Sequence, residues 1–141
     1  MISSNIYFEN QTARVFYDET LETLFLEYLG KVKNHDEFVL INMAVLDAFK
    51  RLNTQKFVAD IRKMGVISVE SQKWVVGFLL PGMMKHLNGK MLHHAQFLDP
   101  KEIFSKVSAV NIKTKAADRE KGFEVHQFSE REELEKYLKS I

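Results

Sequence analysis

Arg62 and Lys63 share a loop with Ser68, the residue that opens an apolar helical pattern. Two cations beside the free N–H groups of a helix start would hold an anion. The plainer roles are solvated loop charges for the pair and an N-cap for Ser68. A phosphate loop is not spelled out, because Met83 and Met84 stand where a Gly77 and Gly82 pair would need Lys and Ser or Thr to follow, and no GxGxxG occurs. Histidines raise a metal hypothesis, but His93 and His94 are neighbours in an expected strand and so point to opposite faces. His35, His86 and His126 fall in no His-x-x-x-His or Glu-x-x-His pattern, so all five histidines read as ordinary, partly exposed side chains. There is no Gly-x-Ser-x-Gly elbow and no cysteine to act as thiolate or metal ligand. The expectation is a chain with no catalytic residues, no metal and no cofactor.

The most unusual stretch is Trp74 to Met84, in which no side chain is charged and only the Trp indole can hydrogen-bond. It is too short to span a bilayer. A surface helix needs a polar face, so this one is either covered all round or offers apolar surface to something else. Trp74, Phe78, Leu80, Met83 and Met84 are therefore the candidates for an interface or for an apolar ligand, with the methionines as adaptable contacts. Pro81 is expected to kink the helix and turn Gly82, Met83 and Met84 away from the sheet. Trp74, Leu80, Met83 and Met84 would then form a seam, in a homodimer first of all.

These residues must be positioned by a sheet and several helices. Asn5 to Glu9, Thr12 to Tyr17 and Leu21 to Leu29 alternate at the two-residue period of strands, with Asn10-Gln11 and Asp18-Glu19-Thr20 as turns. Short connections make this an antiparallel meander ending at Gly30. Helix then alternates with strand. Asn34 and Glu37 have capping-box spacing ahead of a helix to about Leu52, and Lys56 to Ile61 reads as a buried strand. Ser68 caps the next helix, which Asn88 and Gly89 end, and Met91 to Leu98 is a strand. Asp99 and Pro100 open a helix through Ile103, Phe104, Val107 and Val110. Phe123 to Phe128 is the last strand, and Ser129 to Glu132 has capping-box spacing before the last helix, with Leu134, Tyr137, Leu138 and Ile141. The fold class is α/β: a mixed sheet, antiparallel first and parallel after, with helices packed on it. Leu24, Leu26, Ile41, Val45, Val58, Phe78, Leu79, Phe104, Val107 and Leu134 are its expected core.

One domain of 141 residues accounts for all of this, with ordinary hydrophobic (45%) and charged (28%) content. A net charge of +1 gives no whole-protein electrostatic case for nucleic acid or an anionic membrane. The first ten residues have neither a basic nor an apolar signal region, so a cytoplasmic protein without a transmembrane segment is expected.

The order of elements, with Asp60 at the end of the fourth strand and a capped helix from Ser68, resembles the STAS family of anti-sigma factor antagonists. Gly30, Asp60-Ile61-Arg62, Ile67-Ser68-Val69-Glu70-Ser71-Gln72-Lys73-Trp74, Pro81-Gly82 and Phe128-Ser129 resemble more narrowly its stage II sporulation protein AA-like branch. The resemblance covers nearly the whole chain and rests on topology and scattered residues. It implies a STAS-like fold and a non-enzymatic regulatory or protein-interaction module with a protein partner or homodimer. It also implies an Asp-Ser pair at the helix start whose Ser a kinase phosphorylates. At the family spacing from Asp60 that pair falls on Ser68 and Val69, a departure that leaves Ser68 or Ser71 as the substitute acceptors. Asp60, Arg62, Lys63, Ser68 and Ser71 are thus the candidate regulatory or anion-binding set. The broader fold is similar to lipid-transfer domains, so a carrier or sensor of a small apolar ligand is the alternative.

Overall fold

The computed structural model of the chain describes residues 5–102, 110–113 and 122–141. Six strands form one mixed sheet in sequential order: β1 (Asn5–Glu9), β2 (Ala13–Asp18), β3 (Thr23–Tyr28), β4 (Lys56–Asp60), β5 (Leu92–Phe97) and β6 (Phe123–Phe128). The first three pair antiparallel through tight turns, and β3 to β6 pair parallel. Asn10 makes the first turn by accepting from the N–H groups of Thr12 and Ala13, both at 2.8 Å. The strand alternation read from the sequence therefore holds, as does the change from meander to helix-and-strand.

Each connection between parallel strands needs a crossover. The first is α1 (His35–Lys50), whose cap Asn34 accepts from the Glu37 N–H at 2.8 Å while Glu37 accepts in return from the Lys33 N–H. The second is a helical rod of three parts: α2 (Val69–Trp74), a π-helical turn (Val75–Leu79) and α3 (Leu80–Leu87). Asn88, in the left-handed conformation at φ 51°, ends it. The wide turn lies just ahead of Pro81, which lacks the N–H that an α-helix would point at Gly77, and Leu80 N–H reaches back instead to Val75 O. With the widened turn absorbing the proline, the helix continues. The expected swing of Gly82, Met83 and Met84 away from the sheet does not occur: Met83 is fully buried, and Gly82 packs so close to α1 that an added Cβ would lie 3.1 Å from two Leu46 carbons.

Alternation splits the core in two. Ala13, Val15, Leu24, Leu26, Phe57 and Leu92 face α1 and the rod, whereas Phe25, Val58, Ala95 and Phe97 face α4 (Arg131–Lys139) through Leu134 and Leu138. Seven of the ten expected core residues, Leu24, Leu26, Ile41, Val45, Val58, Leu79 and Leu134, are buried. Phe78 is not; it is 47% exposed, because helical spacing turns it to the side of the rod away from the buried Leu80 and Met83. Phe104 and Val107, with most of the helix expected after Pro100, lie outside the described residues. Ser129 is not a cap either, since α4 starts one residue later than the expected box and its N-cap, Glu130, makes no side-chain bond.

Candidate functional site

The loop after β4 places Asp60 almost out of solvent with both carboxylate oxygens taken. Arg62 donates from Nε to Oδ1 at 2.9 Å and from Nη2 to Oδ2 at 2.8 Å, and its guanidinium lies over the Phe97 ring at 4.3 Å. Lys63 follows on the rim of a cleft of about 210 Å3 that Glu27, Asp60 and Asp99 also line. This is the carboxyl end of the parallel strands, where open α/β sheets hold ligands. Its charge does not favour an anion: Arg62 is neutralised by Asp60, and the cleft that Lys63 shares is also lined by Asp99 and by Glu27, itself paired with Arg14. Of the two cations read as an anion site, Arg62 is already engaged by Asp60.

Ser68 caps α2, its Oγ accepting from the Ser71 N–H at 3.0 Å. Ser68 Oγ also lies 3.0 Å from Ser71 Oγ, which lies 2.9 Å from His35 Nδ1 on α1, and His35 Nε2 is 3.6 Å from Glu70. Hydroxyl, imidazole and carboxylate thus stand in the order of a hydrolytic relay. Ser71 is only 1% exposed, so neither a substrate nor a kinase reaches its hydroxyl while α2 is folded. The chain of bonds instead ties the first turn of the rod to α1. Ser68→Ala should lower the unfolding free energy in urea by about 1 kcal/mol, the usual worth of such a cap, with the helix content kept.

The apolar run divides between inside and outside. Leu80 and Met83, expected at a seam, are core at 1% and 0% exposure, and Met84 and Trp74 are half-buried. Trp74 meets Phe38 of α1 edge-on at 6.5 Å between centroids and meets Phe78 at 5.0 Å. Of the five candidates for an interface or apolar ligand, Phe78 is the most exposed, at 47%, and none of the four expected seam residues is exposed. On α1, His35 and Leu46 face the rod, and Met43 lies one step round the helix from Leu46. Met43 and Leu40 are 42% and 57% exposed. Exposed apolar side chains thus occur on both α1 and the rod, two elements that pack on each other, rather than on the rod alone.

Behind it, between α1 and the sheet, is a cavity of about 30 Å3 lined by Tyr28, Asn42, Phe57, His94, Gln96 and Ile112 among others. It has room for about one water. Asn42 donates to Tyr28 Oη at 3.1 Å and to Phe38 O at 2.9 Å. His94, read as partly exposed, is fully enclosed, stacked on Phe57 at 4.8 Å and bonded through Nδ1–H to Phe57 O at 3.1 Å. Burial pushes its pKa down to about 4, so it is neutral at physiological pH.

On the other face the parallel register sets Glu124 directly opposite His93. Glu124 Oε1 takes His93 Nδ1 at 2.9 Å and the Tyr137 hydroxyl of α4 at 2.6 Å, with His126 Nε2 at 3.3 Å. The Tyr137 bond and the neighbouring histidines hold this carboxyl below its ordinary range, while burial first and Glu124 second push Tyr137 up. No set of three ligating side chains suited to a metal occurs among the described residues, and no helix of theirs is long and apolar enough to cross a membrane. No family model, curated protein or solved structure matches this chain.

Proposed function

We propose that the chain is a non-enzymatic protein-interaction module of the kind the anti-sigma factor antagonists represent, with a STAS-like fold and a cytoplasmic setting, and that it docks through the outer face of α1 and the rod. One observation carries the reading. Phe78, Leu40 and Met43 are each about half exposed on two helices that pack on each other and whose inner residues are buried, so these apolar side chains can be covered by a partner without disturbing the core. The potential nucleophile Ser71 is enclosed and Arg62 is neutralised by Asp60, which favours recognition over catalysis at the neighbouring loop.

The reading as a carrier of an apolar ligand has less support, because the cavity under α1 accommodates about one water and not an acyl chain. The discriminating experiment is affinity capture from native cells with the wild-type chain and a Leu40→Glu/Phe78→Glu variant, with proteins and small molecules both identified by mass spectrometry. A protein retained by the wild type should be lost from the variant, the fold being unchanged by circular dichroism. An equal protein set from both, or a co-purifying small apolar molecule in its place, contradicts the reading.

A further inference from the structure

The two edges of the sheet are built differently. β1 is a five-residue strand whose register shifts between Ile6 and Phe8, the kind of irregularity that blunts an edge against pairing. β6, Phe-Glu-Val-His-Gln-Phe, keeps one register with β5 along its whole length, contains neither Pro nor Lys, and pairs with nothing else among the described residues. Leu92 N–H donates to Gly122 O at 3.0 Å and Leu98 N–H to Phe128 O at 2.8 Å. In a parallel ladder that parity turns the backbone groups of Glu124 and His126 toward β5, and those of Phe123, Val125 and Gln127 outward.

We infer that this edge pairs antiparallel with β6 of a second copy of the chain, about a two-fold axis through Val125. In that register Val125 faces its own copy and Phe123 faces Gln127, and vice versa, so every outward N–H and C=O of the three residues finds a partner. Glu124 then stands opposite His126 of the second copy in the pairs where side chains approach most closely. The carboxylate is suited to this contact, because its two hydrogen bonds and its contact with His126 within the chain all use Oε1, and Oε2 has no partner among the described residues. The strand is thus self-complementary at one register, in backbone hydrogen bonds and in a carboxylate acceptor set opposite an imidazole that can donate. A closed two-fold contact of this kind ends with the dimer, since it uses up the β6 edge of both copies.

Sedimentation over a concentration series tests the inference with the full chain. The wild type should be a dimer that dissociates on dilution. Val125→Pro removes an outward N–H without touching the β5 ladder, and should give a folded monomer by circular dichroism. His126→Glu, which sets two carboxylates face to face, should weaken the dimer by about tenfold or more. A wild type that is monomeric at every concentration, or a folded Val125→Pro protein that remains dimeric, would overturn the inference. Should Val125→Pro fail to fold, hydrogen exchange of the wild type decides. The Phe123, Val125 and Gln127 amides should slow as concentration rises, and fast exchange at high concentration would refute the pairing. The surface on α1 and the rod is separate from these strand residues, so that reading stands or falls independently.

Discussion

Between pH 7 and pH 4 the chain should lose about 3 kcal/mol more stability than its His94→Gln variant, from the roughly 1.4 kcal/mol that accompanies each unit by which a pKa differs between the folded and unfolded states. The sign follows from burial. His94 is enclosed between Phe57 and the cavity, and its pKa falls to about 4 from 6.5. The unfolded chain therefore takes up this proton first as the pH drops. Above the unfolded value the histidine exacts no penalty. The penalty grows between 6.5 and 4 and is constant below that. Glutamine keeps an N–H for the Phe57 carbonyl without a proton to take up, so the difference between the two proteins isolates His94 from the carboxylates. Among the latter, Glu124 with its lowered pKa contributes stability that is lost only as the pH falls below the ordinary carboxylate range, and it does so in both proteins. Urea titrations at a series of pH values measure the difference, and parallel curves would show that His94 is not held neutral.

The second large effect separates the inside of the rod from its outside. Leu80→Ala and Met83→Ala should each cost about 2–5 kcal/mol, since both side chains are fully enclosed and the packed sheet and α1 cannot collapse into the space left. A charge at Leu80 should leave the chain unfolded, because a buried carboxylate there has no partner among the apolar neighbours. Phe78→Glu, two residues away, should cost only about 1 kcal/mol, the worth of its ring contact with Trp74, and leave the chain folded. Denaturant unfolding of the four variants tests the contrast. A folded, stable Leu80→Glu protein would mean that the rod does not pack as described, and an unfolded Phe78→Glu would remove the exposed surface.

Features set by near neighbours in the chain were legible from the residues. Alternation located the strands, Asn34 and Ser68 announced their helices, and the left-handed Asn88 closed the rod. The apolar run was harder because nearly all its residues have the same character, so composition concealed which side faced inward. Angular position alone separates Phe78 from Leu79, Leu80 and Met83. Pro81 suggested a kink, and the π-helical turn that accommodates it leaves no mark in the residue types. Contacts between distant segments were not legible at all. Ser71 meets His35 only because the rod lies beside α1, and Glu124 meets His93 and Tyr137 only through the register of β5 with β6 and the docking of α4. Strand alternation set His93 and His94 on opposite faces, as read, but that His94's face is closed over by α1 and the rod depends on packing that the residue types do not show.

The claim that α1 and the rod form a docking surface is tested most directly by placing a photo-crosslinking amino acid at Phe78, at Met43 and, as a control on α4, at the exposed Glu132, and irradiating cells that express each protein at its native level. The account predicts that positions 78 and 43 yield the same discrete protein adduct and that position 132 does not. Adducts from position 132 alone, or none from 78 and 43 in folded protein, would contradict it.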